Sequence, residues 1–542
     1  MPTAMLEIED EDKALIQRAY RNLLKSIKTE LSPEDSQQIR LAYEMAVEAH
    51  KEQRRKSGEP YILHPIEVAR ICVEEIGLGP TAVICALLHD VVEDTDVTLE
   101  EIRDKFGESV MTIVDGLTKL DGLHDTESLQ AENFRKVLTS MLTDTRVVLI
   151  KMADRLHNLR TIKSMKYEKQ LKIAAETEFV YAPLAHRLGL YAIKSEFQDI
   201  CLKINRPEEY YEVAKKLEST LRERTAYIND FIRPLGEAID ALHIKYRISG
   251  RPKSIYSIWN KLKTKQSAFE DIYDLFAIRV IVDVPIVEEK KTCFLVYSIV
   301  TDFYPPIPER WKDWISSPKS NGYESLHTTV IGQKGRFVEV QIRSERMDEV
   351  AERGFAAHWK YKGITGTNDN SFEKWLDGVR EMLENPATNA VEFLTDFQSN
   401  FFQEEIRAVT PKGDLITLPE GATALDFAFA IHSNMGAKTV AILVNGEIAP
   451  LGTKLKTGDR VEIKTSPNAK PTEDWLKFVK TGKAKSKIRS SLKDDLRKAG
   501  EAGKELVERK LGQMKADFDA GSDLLAKKYG YSSRLEMFLA LA

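Results

Sequence analysis

Apolar positions along the first half of the chain recur at helical spacing. In residues 36–50 (SQQIRLAYEMAVEAH) this spacing predicts an amphipathic helix. Residues 81–95 (TAVICALLHDVVEDT) are nearly all apolar up to an acidic end, which predicts a buried helix. Helical patterns continue to about residue 230, with breaks predicted at Pro183 and Pro207. The first half is therefore predicted to be helical.

Strand patterns begin in the middle of the chain. The runs LFAIRVIVDV (275–284) and RFVEVQIR (336–343) are β-branched and of strand length, among Lys-rich helical pieces. They predict an α+β domain. Further on, the strand-like pieces EEIRAVT, AILVN and RVEIKT are separated by the turn sequences KGD, PEG, NGE and TGD. They predict a second, small β-containing module, and after residue 470 the pattern is helical and highly charged.

These changes of pattern predict a multidomain chain. The boundaries that we predict are 1–35 for an N-terminal helical extension, 36–160 for an all-α domain, 161–214 for connecting helices, 215–362 for the α+β domain, 363–403 for a polar linker, 404–466 for the small β module and 467–542 for the start of a helical domain. A length of 542 residues agrees with several domains, since one domain usually holds roughly 100–200 residues.

Composition narrows the class of protein. The longest apolar runs, such as Ala82–Leu88, are far shorter than a membrane span, and the acidic N-terminus has no apolar signal region. The four cysteines are widely spaced without a CxxC pair, which favours free thiols in a cytoplasmic protein. The net charge of −5 excludes a general polyanion binder, so that any contact with nucleic acid must be local.

A first group of polar residues in the helical half has the composition of a metal site. Its members are Arg55, His64, His89, Asp90, Glu93, Asp94, Asp154 and Asn158. On a helix, residues four apart share a face, so His89 is predicted to lie under Glu93 and Asp154 under Asn158. Imidazoles and carboxylates together suit Mn²⁺ or a similar first-row ion better than a sulfur-rich zinc site does, and such an ion activates water and binds phosphate oxygens. His50, alone in its segment, is more simply explained as an ordinary core or surface residue.

A second group lies in the α+β region. Lys253, Ser257 and Lys261 are spaced four apart and would form one phosphate-facing stripe if the segment is helical, although a Lys-rich helix is usually just a solvated face. Arg251 precedes the stripe and could stack on a base. No GxxxxGK[ST] sequence occurs, which excludes a Walker-type site.

The strand RFVEVQIR adds carboxylate chemistry to this group. Strand alternation puts Glu339, Gln341 and Arg343 on one face, which is equally consistent with a site lining and with an exposed sheet face. Asp274, at the entry to the other strand, supplies a second carboxylate. Two carboxylates from different strands commonly hold Mg²⁺ between nucleotide phosphates.

The motifs of both groups resemble one family. RKSGEPYILHP, LLHDVVEDT and KMADRLHNLRT resemble the hydrolase domain of the long RelA/SpoT homologues, the bifunctional enzymes of the guanosine tetraphosphate (stringent) response. The resemblance implies that Mn²⁺ is held by His64, His89, Asp90 and Asp154. It further implies that Glu93 and Asp94 position or activate the attacking water, and that Arg55 and Asn158 contact the nucleotide.

The second group resembles the synthetase domain of the same family through NGYESLHT (321–328) and AERGFAAHWKYK (351–362). The resemblance implies that Tyr323 stacks on guanine, that His327 helps to bind the acceptor, and that Asp274 and Glu339 hold Mg²⁺, with Glu339 also the base for the ribose 3′-OH. ATP would be held by Arg251, Lys253, Ser257 and Lys261. The remaining nucleotide-binding residues implied are Lys312, Lys319, Asn321 and Gln341. Arg310 to Asp313 match the basic RxKD form of bifunctional members.

The last third resembles the TGS module, a small β-grasp fold. Its TPKGDLITLPEGATALDFAFAIHSNMG sequence implies a contact with the ribosome and uncharged tRNA. The resemblance makes His432 the contact residue, and an ordinary helix residue is the less favoured alternative. Residues 477–498 contain nine Lys or Arg residues and only two Asp residues. This basic segment is equally consistent with a patch that binds RNA phosphates and with an ordinary solvated helix. Long family members continue into zinc-finger or helical and ACT domains. Nothing similar precedes Ala542, so we expect a shortened chain.

The fold that these resemblances imply is an all-α HD-type hydrolase domain, an α+β nucleotidyltransferase-like synthetase domain, a β-grasp TGS domain and a C-terminal helical segment. The implied enzyme is a GTP/GDP pyrophosphokinase and guanosine-3′,5′-bis(diphosphate) 3′-pyrophosphohydrolase. Helices near 160–230 are a hypothetical two-state element through which guanosine nucleotide in one site lowers hydrolysis in the other. The alternatives are a ribosome- or tRNA-binding regulator with one or both sites inactive, and an enzyme that only hydrolyses.

Overall fold

The chain forms two compact units, whose boundary falls between Val391 and Glu392. The computed structural model describes residues 10–28, 30–118, 126–250, 253–265, 276–319, 321–357, 376–377, 379–380, 383, 405–514 and 516–542. Most of the predicted linker 363–403 lies outside these ranges, as do Arg251 and Asp274.

The first unit begins with helices, as predicted. They are Asp10–Ser26, Pro33–Ala49, Leu63–Ile71, Pro80–Leu88, Val91–Asp94, Leu99–Phe106, Glu108–Leu117, Thr126–Thr143, Arg146–Arg160, Tyr167–Glu176, Ala182–Arg187, Tyr191–Asn205, Pro207–Ser219 and Leu221–Asp240. The helix over the predicted segment 36–50 starts at Pro33, where Ser32 and Asp35 form a reciprocal capping box. The apolar helix Pro80–Leu88 is buried along nearly its whole length.

Two details of the helical half differ from the sequence prediction. The buried helix ends at Leu88, and the chain turns at His89 and Asp90 before a short helix begins. Pro183 does not break its helix, because the wide π-helical turn Thr177–Tyr181 directly before it accommodates a residue without an N–H. The predicted break at Pro207 is confirmed, since a new helix starts at that residue.

A five-stranded mixed sheet follows in the first unit. Its strands are β1 (Lys245–Gly250), β2 (Phe276–Asp283), β3 (Lys312–Asp313), β4 (Leu326–Ile331) and β5 (Phe337–Ser344), in the order β1-β2-β5-β4-β3. Only β2 and β5 run parallel, and the other pairs are antiparallel. Helices Ile255–Lys265, Ile286–Phe303 and Glu345–Arg353 accompany the sheet.

The two faces of β5 are both covered. Val338, Val340 and Ile342 are fully buried in an apolar core that includes helices Leu221–Asp240 and Ile286–Phe303. On the opposite face Gln341 and Arg343 are each only 1% exposed. The polar face of this strand is therefore not a solvated sheet surface, and Arg343 on it forms an ion pair with Asp348 at 2.8 Å.

The segment after β5 packs directly on the connecting helices. The amide of Phe355 donates to the carbonyl of Leu188 at 3.1 Å, and the Cα of Gly354 lies 2.9 Å from the Cβ position of Gly189. Gly354 has φ +57, and a Cβ there would lie 2.1 Å from the Leu188 carbonyl oxygen. Both positions therefore require glycine.

The second unit contains a small β module and a long helix. Its strands are β6 (Glu405–Val409), β7 (Leu415–Pro419), β8 (Thr439–Val444), β9 (Glu447–Ala449) and β10 (Val461–Thr465), with helices Ala424–Ile431, Ser433–Ala437, Gly482–Gln513, Phe518–Lys528 and Arg534–Leu541. The predicted NGE turn joins β8 to β9, with Asn445 and Gly446 at positive φ. Within the described residues no helix is long and apolar enough to span a membrane.

Candidate active sites

The first cluster gathers side chains from three helical elements. His64 lies in helix Leu63–Ile71, His89 and Asp90 form the turn after Pro80–Leu88, and Asp154 lies in Arg146–Arg160. The possible ligand atoms of His64, His89 and Asp90 all lie within 4.8 Å of one another. An oxygen of Asp154 is 3.3 Å from His64 Nε2 and 3.9 Å from His89 Nε2. The structure therefore brings together the four predicted metal ligands.

The orientation of His89 fits a metal ligand. Its Nδ1 donates to the carbonyl of Ala86 at 2.8 Å, which leaves the lone pair on Nε2. This Nε2 lies 3.1 Å from an oxygen of Asp90. It is nevertheless buried without a hydrogen-bond partner among the described atoms. A buried polar atom of this kind beside two carboxylates is well explained by a cation bound between them.

The electrostatics of the cluster favour a positive charge at its centre. Burial opposes charge on His89, yet Asp90 and Asp154 outweigh it and raise its pKa to about 9. Burial also opposes ionisation of Asp90, but His89 holds the pKa of this carboxyl below its usual range. At neutral pH the cluster is thus stable with a proton on His89 or with a metal ion in its place.

Arg55 and Asn158 extend this cluster toward solvent. Arg55 Nη2 donates to the side-chain oxygen of Asn158 at 3.0 Å and to the hydroxyl of Thr161 at 3.3 Å. Asn158 Nδ2 donates in turn to Asp154 at 2.6 Å, as their spacing on one helix face predicts. The predicted nucleotide-binding pair is therefore linked to a predicted metal ligand.

Asp94 is held by residues that sequence reasoning missed. The hydroxyl of Tyr61 lies 2.7 Å from Asp90 Oδ2 and 3.1 Å from Asp94 Oδ2, while Gln53 Nε2 donates to the backbone carbonyl of Asp94 at 2.8 Å. His50 is buried, and its Nδ1 donates a 2.7 Å hydrogen bond to Gln53 Oε1, so this ring contacts the residue that holds Asp94. Glu93 is half-buried on the same short helix as Asp94.

The second cluster lies on the polar face of the sheet. Glu339 Oε1 accepts a hydrogen bond from Gln341 at 2.8 Å and lies 3.3 Å from His327 Nδ1. The other ring nitrogen of His327 lies 2.8 Å from the Tyr323 hydroxyl. Burial would raise the pKa of Glu339, but His327, Gln341 and Lys253 outweigh burial and hold the pKa well below the usual value. Glu339 is therefore ionised at neutral pH.

Aromatic groups surround Tyr323, which is itself buried. Trp314 and Tyr191 contact its ring edge-on at centroid distances of 5.7 and 5.5 Å, and Lys319 Nζ lies 4.3 Å from the Trp314 ring centroid. Asn321 donates to the hydroxyl of Tyr191 at 2.7 Å. Trp314 and Tyr191 were not predicted, although Trp314 directly follows the Arg310 to Asp313 motif.

The predicted ATP stripe is partly helical. Helix Ile255–Lys265 carries Ser257 and Lys261, but Lys253 precedes it, so the three residues do not lie on one continuous helix. Lys253 lies close enough to Glu339 to lower its pKa. Lys312 of β3 lies opposite His327 of β4 in the strand register, on the sheet face that carries Glu339. The predicted Arg251 and Asp274 lie outside the described residues.

Three family models match the chain in this order: "HD domain" over residues 42–191, "Region found in RelA / SpoT proteins" over 250–365, and "TGS domain" over 406–465. A guanosine-3′,5′-bis(diphosphate) 3′-pyrophosphohydrolase of Aquifex aeolicus is 42% identical over 94% of this chain and 72% of its own length. The chain belongs to the RelA/SpoT family. The predicted fold class is thereby confirmed, and the HD and RelA/SpoT regions each contain one of the two clusters.

Two further RelA/SpoT relatives carry other names. The Escherichia coli K12 protein called bifunctional (p)ppGpp synthase/hydrolase SpoT is 40% identical over 94% of this chain and 74% of its own length. A GTP pyrophosphokinase of Myxococcus xanthus is 42% identical over 89% of this chain and 64% of its own length. The similarity to these family members extends over both catalytic regions.

Proposed function

We propose that this protein both makes and degrades guanosine 3′-pyrophosphates. In synthesis the β,γ-pyrophosphate of ATP passes to the 3′-OH of GDP or GTP, and AMP leaves. In degradation water cleaves the 3′-pyrophosphate, which restores GDP or GTP and releases pyrophosphate. The observation that carries this proposal is the presence of two assembled polar clusters, His64–His89–Asp90–Asp154 and Glu339–His327–Tyr323, in one unit.

In the hydrolase, His64, His89, Asp90 and Asp154 would hold Mn²⁺, whose mixed nitrogen and oxygen preference suits this set. When bound, the ion lowers the pKa of water and neutralises phosphate oxygens. Asp94 is oriented by Tyr61 and Gln53 for handling the attacking water, with Glu93 beside it on the same helix. Arg55 and Asn158 would bind the nucleotide.

In the synthetase, Glu339 would hold Mg²⁺ together with Asp274. Its low pKa favours this role over that of the base for the 3′-OH, because a general base is most effective with a pKa near the operating pH. Arg251, Lys253, Ser257 and Lys261 would bind ATP. The protein then contributes mainly alignment of the two nucleotides and charge neutralisation.

The guanosine acceptor would be bound by Tyr323, with Lys312, Lys319, Asn321, His327 and Gln341 around it. Tyr323 is buried among Trp314, Tyr191 and His327. Guanine can therefore stack on its ring only after these neighbouring side chains have moved aside.

The second unit would bind the ribosome and uncharged tRNA through the TGS module and the basic residues 477–498. His432 is exposed between two helices, where its ring accepts a hydrogen bond from the Asn434 amide. It is thus not a helix-interior residue and is available to RNA. We also propose a cytoplasmic location, because the substrates are nucleotides and the four cysteines are free.

One chromatographic experiment tests both activities. The protein is incubated with ATP, GDP, Mg²⁺ and Mn²⁺, and AMP, ppGpp and pyrophosphate are resolved over time; ppGpp is supplied alone in a second reaction. Asp90→Asn should abolish pyrophosphate release from supplied ppGpp but leave AMP formation intact, and Glu339→Gln should abolish AMP formation from ATP and GDP but leave hydrolysis of supplied ppGpp intact. AMP that persists in Glu339→Gln would place synthesis elsewhere, and absence of both reactions in the unaltered protein would favour a purely regulatory protein.

A further inference from the structure

His157 has no assigned role, yet it lies between two residues of the proposed hydrolase site. It is half-buried on helix Arg146–Arg160, next to Asn158. Its Nδ1 is 2.7 Å from Nδ1 of His64 and 3.2 Å from Nη1 of Arg55. One ring nitrogen thus contacts a proposed metal ligand and a proposed nucleotide-binding residue.

The chemistry of Arg55 decides which histidine carries the proton in this contact. A guanidinium can only donate, so the Nδ1 of His157 that it contacts must be an acceptor. The Nδ1 of His64, 2.7 Å away, must therefore carry the hydrogen and donate it to His157. In this tautomer the lone pair of His64 is on Nε2, which lies 3.3 Å from Asp154 and 3.6 Å from Asp90.

The two histidine ligands differ in what orients them. His89 donates to a backbone carbonyl, that of Ala86. His64 donates to a side chain whose single lone pair is also approached by Arg55. Anything that draws Arg55 away, such as a nucleotide phosphate, leaves this lone pair entirely to His64.

We infer that His157 is a positioning residue that fixes the metal-binding tautomer of His64 and couples this ligand to nucleotide binding at Arg55. The inference rests on the proposed hydrolase function. Nucleotide and Mn²⁺ then bind cooperatively, and by reciprocity each increases the affinity for the other. Loss of a hydrogen-bond partner behind a ligating histidine typically weakens metal binding about 10–100-fold.

The positioning role of His157 is tested by measuring Mn²⁺ binding to the full chain without nucleotide. Binding is followed by the electron paramagnetic resonance of the free ion. His157→Leu removes the acceptor and should weaken Mn²⁺ binding about 10-fold or more. His157→Asn keeps an acceptor oxygen near the position of Nδ1 and should restore binding. Equal affinity in His157→Leu and the unaltered protein, or an equal loss in both variants, would overturn the inference. Circular dichroism establishes that each variant is folded.

A non-hydrolysable 3′-methylenebisphosphonate analogue of ppGpp tests the coupling. It should tighten Mn²⁺ binding about fivefold or more in the unaltered protein and in His157→Asn, but not in His157→Leu. Thr161→Val is the matched control, because it removes another Arg55 contact without touching His64. This variant should weaken analogue binding while leaving Mn²⁺ affinity without analogue unchanged. Equal tightening in His157→Leu would contradict the coupling.

The two hypotheses fail in different ways. If Mn²⁺ binding is unaffected by Asp90→Asn, the ion is not held by the first cluster, and the proposed hydrolase site is wrong. If binding depends on Asp90 but not on His157, only the positioning role is wrong.

Discussion

At the residue scale, each candidate site depends on buried polar groups whose orientation is set by distant neighbours. Tyr61 reaches Asp90 and Asp94, and His157 reaches His64 across 93 positions of the chain. The sequence predicted the ligand types because His-Asp and Glu-Asp pairs are chemically distinctive. It could not predict Tyr61 or His157, since a lone aromatic residue acquires its role only from the partners that folding brings to it.

The Glu339 carboxylate is predicted to be essential for synthesis and dispensable for hydrolysis. Glu339→Gln removes the charge that would hold Mg²⁺ and should lower the rate of AMP formation by about 10²–10⁴-fold, whether the group acts as ligand or as base. AMP formation from ATP and GDP is measured beside ppGpp hydrolysis. Glu345→Gln is the matched control, because Glu345 is largely exposed and should change neither rate. A parallel loss of both activities would indicate misfolding instead.

The cysteine thiols are predicted to be unreactive in the folded protein. All four are buried, and burial raises the pKa of Cys85, Cys201 and Cys293 to about 12. At pH 8 only about one thiol in 10⁴ would then be the reactive thiolate, even where a reagent could reach it. Titration with a thiol reagent should therefore detect four groups in guanidinium and essentially none in the native protein. A fast-reacting native thiol would contradict this burial.

At the element scale, periodicity predicted most helices and the long strands. It failed where contacts with neighbouring segments determine the secondary structure. The strand Leu415–Pro419 begins between the predicted KGD and PEG turns, in a stretch for which no strand was predicted, and it pairs with Glu405–Val409. Likewise, the core of the β module includes Trp475, Val479 and Ile488 from the following segment. The module predicted as 404–466 thus shares its apolar core with residues beyond that boundary.

Asp426 is predicted to fasten the β module to the long helix that follows it. Its fully buried carboxylate accepts hydrogen bonds from the amides of Thr423, Lys480 and Thr481 and from both threonine hydroxyls. Hydrogen bonds to a charged group contribute about 1.5–3 kcal/mol each, so Asp426→Asn should destabilise this junction by on the order of 3 kcal/mol. Limited proteolysis should then cleave near residue 481 much faster than in the unaltered protein.

Asp474→Asn is the control for this junction. Asp474 is exposed and, among the described residues, forms an ion pair with Lys477, which is also exposed, so its loss should leave the cleavage rate unchanged. Equal protection of residues near 481 in Asp426→Asn and Asp474→Asn would show that apolar packing alone holds the helix in place.

At the scale of the whole first unit, the synthetase region and the connecting helices meet at backbone contacts. The Gly189–Gly354 approach and the Phe355–Leu188 hydrogen bond join the segment after β5 to the helices that follow the hydrolase cluster. Tyr191 and Asn321 form a second link, at the proposed guanosine site. The sequence suggested that helices near 160–230 transmit a signal, but only the fold shows which atoms could carry it.

Gly354→Ala should break this contact. The added Cβ would lie 2.1 Å from the Leu188 carbonyl oxygen, so the segment must move, at a cost of about 1–3 kcal/mol. If guanosine nucleotide in the synthetase site lowers hydrolysis through these helices, GDP should inhibit ppGpp hydrolysis several-fold less in this variant. The measurement is the initial rate of pyrophosphate release from ppGpp at increasing GDP concentration.

Gly335→Ala separates the effect of the lost contact from the effect of backbone strain. Gly335 also has positive φ, but a Cβ there would meet nothing within 4 Å. That variant should lose some thermal stability yet retain full inhibition by GDP, and unchanged inhibition in Gly354→Ala would mean that the signal passes elsewhere.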